Sequence, residues 1–310
     1  MALPIYASPL ERLWHYTYLV LCVAIFVFLI APILIIIPLS FNPEPYFSFT
    51  EKMLTLQPDG FSLRWYNELL VYGMQAPEAV QGWWADLWAN SAWVKAAKNS
   101  IIVGFWATIF ATVLGTLAAL GLSRPEMPAR KAVMAILISP MIVPIIIIAT
   151  GLFFFYSNPC GILGFSCGRL TSTYLGIILA HTILGIPFVI ITVTATLSGF
   201  DQSLTRAAAS LGANPRTTFF KVVMPLILPG VISGSLFAFV TSFDEVVAVL
   251  FLAGADQQTI PRQMWNGIRE QISPAILAVA TILVIISISL LAAVELLRRR
   301  SERLRGLSPQ

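Results

Sequence analysis

Two carboxylates, Asp244 and Glu245, stand side by side in a stretch that is otherwise apolar. Burying one charge at mid-bilayer costs about 2.5–3.5 kcal/mol even on lenient insertion scales, so a pair facing lipid is untenable. At least one must face a protein interior or water. The chemistry on offer is passage of a cation, with Phe237 and Phe243 close enough in sequence to add ring faces. On a continuous helix, neighbours point about 100° apart. One carboxylate is therefore expected to face a pathway while the other pairs structurally. The alternative is that both only fix helix packing against a partner subunit. Nothing else in the chain offers stronger chemistry. His181 lies in an apolar run and reads as an interhelical hydrogen bonder. His15 is the only other histidine, and no second His or Cys lies near enough for a metal site. No Gly-rich phosphate loop occurs, so the chain does not itself use ATP. Asp244, Glu245 and His181 do not make the nucleophile–base set of a membrane enzyme.

Those residues need a membrane-spanning frame. The 310 residues are 57% hydrophobic and 11% charged, against roughly 25% charged in a soluble domain. The mean hydropathy is +0.82. This is the composition of an all-α integral membrane protein, and it excludes disorder. Apolar runs predict six spans at about 19–41, 99–122, 132–156, 172–198, 230–253 and 274–297, each long enough for a hydrocarbon core of about 30 Å. The first is read as an anchor and not as a cleaved signal peptide. Pro140, Pro144 and Pro187 should bend the third and fourth. With both termini cytoplasmic, 12 of the 19 Lys and Arg fall inside. The net charge of +4 is then mostly a topology signal and not a nucleic-acid signal. The run Arg298–Arg305 reads as stop-transfer. This divides the chain into a cytoplasmic N-terminus (1–18), a transmembrane domain (19–297) and a basic tail (298–310).

Two loops stand out. Residues 42–98 form a long external segment rich in Trp and Pro, expected as short amphipathic pieces on the outer interface. Between the third and fourth spans lie Cys160 and Cys167, separated by six residues, with Gly161, Gly164 and Gly168 to permit tight turns. On the oxidising side of the membrane this spacing predicts a disulfide, with two free thiols as the alternative.

The cytoplasmic loop at 199–229 carries the sharpest pattern. Asp201 can cap a short helix with an apolar face of Leu204, Ala207, Ala208 and Leu211. Gly212 suits its left-handed end, and Asn214-Pro215 suits the cap and first residue of a second helix. The small face at Ala207–Ala209 lets another protein approach the backbone closely.

Ala207-Ala208, Gly212 and Val222-Val223-Met224-Pro225 resemble the "EAA" loop of binding-protein-dependent ABC importer permeases, with Arg206 where that pattern has Glu. Tyr174–Thr182, Ser242-Phe-Asp-Glu245 and Thr259–Trp265 are similar to the spermidine/putrescine-type family, in its second-permease branch. The resemblance implies a type I ABC importer permease fold in a bacterial inner membrane. It implies that Arg206, Ala207, Ala208, Gly212 and Pro225 belong to a loop docking on a cytoplasmic ATPase, and that the solute is of amine type, for which Phe243, Asp244 and Glu245 are the candidate pathway residues. The implied partners are a sister permease, two ATPase subunits that use ATP and Mg, and a periplasmic solute-binding protein. The chain itself is then no enzyme and binds no cofactor. Relatives in this branch move polyamines, 4-aminobutyrate, opines and related amines. The mechanism implied is alternating access driven by ATPase closure. An ion-coupled secondary transporter is the alternative, although no internal repeat is visible.

Overall fold

The computed structural model describes residues 8–72, 83–124, 126–160, 168–201, 203–270 and 273–304. Every regular element among them is helical. The chain divides into two compact units, one of Met1–Ala79 with Gly267–Gln310 and one of Val80–Asn266.

In the first unit, helix α1 (Pro9–Leu39) starts well before the predicted span. Its start is set by a capping box: Ser8 N–H donates to Glu11 Oε2 at 2.8 Å, and Glu11 N–H donates to Ser8 Oγ at 3.3 Å. No part of its apolar window is buried within the chain. Such a helix, apolar all round, is one that lipid can surround. After α1 the chain closes on Asn42, which is fully buried. Its Nδ2 donates to the carbonyls of Tyr46 and Ser48, at 3.0 and 2.7 Å, and its Oδ1 accepts from Glu44 N–H. Its carbonyl accepts from Trp65 Nε1 at 2.6 Å. Short helices α2 (Glu51–Leu54) and α3 (Arg64–Asn67) supply Met53 and Trp65, which are buried with Leu69. Interfacial pieces were expected here. The pieces exist, but they fold over a buried centre of their own.

The second unit holds the bundle. Helix α4 (Trp83–Asn90) leads into α5 (Ala92–Leu122), capped by Ser91 Oγ on Val94 N–H at 3.3 Å. The helix of the second span therefore begins at Ala92, before the expected residue 99. The third span, expected as one helix over 132–156, is instead α6 (Arg130–Ile142) and α7 (Ile145–Ser157), bent by 101°. Pro144 is the cause. It drives Val143 into extended backbone, φ −71° and ψ 133°. Helix α8 (Tyr174–Ser198) is the centre of the unit, with 67% of its apolar window buried. Helices α9 (Ser203–Ser210) and α10 (Pro215–Thr218) form the elbow before α11 (Met224–Asp244). The fifth span, expected to run unbroken over 230–253, stops at Asp244. Glu245 is extended, φ −75° and ψ 121°, and a separate helix α12 (Val247–Leu252) follows, then α13 (Ile260–Glu270).

Small residues explain why α5, α8 and α11 pack so closely. Buried Ala107, Ala111, Gly115 and Ala119 recur every four residues on α5, as do Gly230, Gly234, Ala238 and Ser242 on α11. Four-residue spacing puts them on one face, and small faces let backbones approach in a membrane. Gly185 of α8 sits where the three meet: a Cβ there would lie 3.1 Å from Ala238 Cβ and 3.2 Å from Ala111 Cβ.

Returning to the first unit, α14 (Ala275–Leu304) packs on α1 and α3. Its described apolar stretch is Ala275–Ser289. By length and composition, four helices among the described residues can cross a membrane, or five with the bent α6–α7 pair as one span. The side chains of the Arg298–Arg305 run lie outside the described residues.

Candidate functional site

The end of α11 brings Asp244 and Glu245 to a break, not onto a continuous helix, so the expected divergence of about 100° does not apply. Their roles separate all the same. Glu245 is half-buried and its Oε1 accepts from Ala248 N–H at 2.9 Å, capping α12. Asp244 is exposed, and its carboxylate meets no hydrogen-bond donor among the described residues. It sits in the last turn of α11, where backbone carbonyls lack intrahelical partners and the dipole is negative. A carboxylate there is locally unfavourable, and the combined field favours a cation. Phe243 is half-buried and stacks on Phe239 at 5.7 Å, while Phe237 stacks on Phe188 at 6.2 Å.

Sequence reasoning missed what holds this break. Arg262 on α13 reaches back, its Nη1 donating to the carbonyls of Val249 and Ala253 at 3.1 and 2.8 Å. In the sequence it counted only towards charge sidedness, although it lies within the Thr259–Trp265 motif. Buried Asn99 of α5 was missed too. Its Nδ2 donates to the carbonyls of Asp256 and Gln258, at 2.8 and 2.9 Å. Ser100 beside it accepts from Ile260 N–H at 2.9 Å. An Asn-Ser pair opening an apolar run was the available signal.

The elbow lies at the opposite end of α11. Asn214 Oδ1 accepts from Thr217 N–H at 2.8 Å and Pro215 is the first helical residue. Gly212 has φ +79°, the left-handed conformation that a helix end requires. Asp201 accepts from the Ser203 hydroxyl at 2.6 Å and from its N–H at 2.8 Å, which holds the carboxyl below the usual carboxylate range. Neither α9 nor α10 has a buried residue. Arg206, Ala207 and Pro225 are exposed and Ala208 is half-buried. Leu211 is 88% exposed and Phe220 67%. The elbow thus leaves Leu211 and Phe220 uncovered by the described residues.

His181 lies 2.7 Å from Ser242, Nδ1 to Oγ, joining α8 to α11 as an interhelical bond. Cys160 is disulfide-bonded and Cys22 is free. Cys167, its expected partner, lies outside the described residues. No cluster of three or more His, Cys, Asp or Glu suited to a metal occurs among the described residues.

Apolar helices seamed by small residues, with a charged break at one end of α11 and an exposed elbow at the other, fit a membrane permease subunit. The chain belongs to the family described as binding-protein-dependent transport system inner membrane component, whose model matches residues 111–303. It is 29% identical over 277 residues to the spermidine/putrescine transport system permease protein PotC of Haemophilus influenzae, covering 89% of this chain and 94% of that one. It is likewise 29% identical over 282 residues to the putrescine transport system permease protein PotI of Escherichia coli, covering 91% and 88%. The fold matches a solved bacterial ABC transporter involved in import of the acidic polysaccharide alginate, with a TM-score of 0.65 over 94% of this chain and 99% of that one. At 17% identity that likeness concerns fold alone.

Proposed function

We propose that this permease forms, with a sister permease, the pathway of an ATP-driven importer for a small amine, either a polyamine such as putrescine or spermidine or a related compound, delivered by a periplasmic binding protein. In this reading α1, α5, the bent α6–α7 pair, α8, α11 and α14 make six crossings of a bacterial inner membrane. Both termini are cytoplasmic, in keeping with the bias of basic residues. The elbow of Arg206, Ala207, Ala208, Gly212 and Pro225 docks on one of two ATPase subunits, which use ATP and Mg. A Cys160–Cys167 bridge clips the loop at the outer mouth.

The free carboxylate of Asp244 at the negative end of α11 carries the assignment of a cationic solute. The transport of polyamines by the named relatives agrees with it. Glu245 and Phe243 shape the same site without presenting free charge.

The test is uptake of labelled putrescine, spermidine and 4-aminobutyrate into vesicles holding the complete complex. Asp244→Asn is expected to lower uptake of a diamine about tenfold or more with assembly intact. Unchanged uptake would refute the pathway role, and loss of assembly would assign Asp244 to packing. Uptake that persists without the ATPase subunit would favour an ion-coupled carrier. Non-reducing mass spectrometry of the purified subunit decides the Cys160–Cys167 pairing.

A further inference from the structure

Helix α12 is only six residues long, Val247–Leu252. A helix so short is not stable on its own. Burial supports it, since Ala248, Val249 and Leu252 are at most 1% exposed, and Val249 and Leu252 join a core with Val103, Ile177 and Tyr156. Charge supports it at both ends. Glu245 accepts from Ala248 N–H at the start, and the Arg262 guanidinium donates to the carbonyls of Val249 and Ala253 at the finish. An anion at the N-terminus and a cation at the C-terminus both complement the helix dipole.

The alternative conformation is easy to state. The run Phe243-Asp-Glu-Val-Val-Ala248 contains neither Gly nor Pro, so nothing local forbids α11 from running on into α12. In a fused helix Glu245 would leave its cap and project as a second free carboxylate, about 100° from Asp244. The break therefore has one free carboxylate only while α12 stays a separate, capped helix. Arg262 forms no ion pair with Asp244 or Glu245 among the described residues. Its hold is on the far end of α12.

We infer that Arg262 is a positioning residue for the Asp244 site: by holding the last carbonyls of α12 it keeps α11 terminated at Asp244, with a single free carboxylate at the break. This rests on Asp244 lying in the solute path. The guanidinium suits the task because it stays charged and can serve two carbonyls at once. A lysine there would keep the charge with poorer geometry, and a glutamine would keep only a neutral donor.

A double-mutant cycle tests it. Initial uptake of labelled putrescine, normalised to assembled complex, is measured in vesicles for the parent chain, Arg262→Gln, Asp244→Asn and the double variant. Arg262→Gln is expected to lower uptake about tenfold, and Arg262→Lys about threefold. In the Asp244→Asn background Arg262→Gln should have less than about a twofold further effect, since coupled residues are non-additive. The full tenfold loss in that background would overturn the inference and leave the pathway reading standing. Unchanged uptake by Asp244→Asn alone would overturn both. If Arg262→Gln does not assemble, Arg262→Lys carries the cycle. Uptake per complex equal to the parent would then refute the inference, and a loss that vanishes with Asp244→Asn would support it.

Discussion

The Tyr174 hydroxyl donates to Asn99 Oδ1 at 2.7 Å, while the same amide serves the carbonyls of Asp256 and Gln258. One buried side chain thus ties the first turn of α8 to the loop after α12. Asn99→Ala should leave those groups unpaired at about 1–3 kcal/mol each where they remain buried. In a domain of this size about 1 kcal/mol shifts the melting midpoint by roughly 2–4 °C. A thermal-shift assay in detergent should show at least that drop, and an unchanged midpoint would show that the network is dispensable.

Glu245 and Asp244 should separate in their phenotypes. Glu245→Ala removes the cap of α12 and should cost about 1 kcal/mol. Glu245→Gln keeps an acceptor and should cost less. Hydrogen exchange of Val247–Leu252 would rank them, with Asp244→Asn leaving exchange at the parent level. Equal protection in all three would argue against the capping role.

Ala207 is exposed on an elbow helix with no buried residue, so the subunit itself should accommodate Ala207→Trp. The subunit should reach the membrane with its midpoint unchanged, while ATP hydrolysis by the complex becomes uncoupled from uptake. Normal uptake by this variant would sink the docking assignment.

Asp201 predicts a pH dependence of defined sign. Its carboxyl is held below the usual range by the Ser203 hydroxyl and N–H. A depressed folded-state pKa contributes order above the unfolded value, near 3.9, and that order is lost as pH falls through the lower folded value. A spin label at Leu211 should keep its mobility from neutral pH to about 4 and loosen only below. Asp201→Asn should abolish the transition, and loosening already at pH 6 would contradict the assignment.

The elbow was legible because its signals are local: Gly212 has the left-handed φ its position demanded, and Asn214-Pro215 starts α10. The break after Asp244 was not. It is made by the Glu245 side chain and by Arg262 far along the chain, and no breaker residue marks it. Pro140 and Pro144 announced a bend, but its 101° depends on the extended Val143 between two helices. The Asn42 centre was hidden because its side-chain amide organises three backbone groups, and its carbonyl takes the Trp65 indole N–H, partners that no spacing rule connects.

The α8–α11 seam has a repetition problem. Gly230, Gly234 and Ala238 recur every four residues, so their face looks much the same after a slip of one turn, about 5.4 Å. His181, 1% exposed, helps remove the degeneracy. In the native alignment it meets Ser242, and its Nε2 has no partner among the described residues. After a one-turn slip it would meet Ala238 and both ring nitrogens would be stranded. The polar pair thus helps select the alignment, as one buried Asn does in a coiled coil, together with Gly230, whose place Leu226 would take after that slip and where even a Cβ would collide with Thr196. Replacing both partners with apolar residues would leave the alignment to that steric block alone.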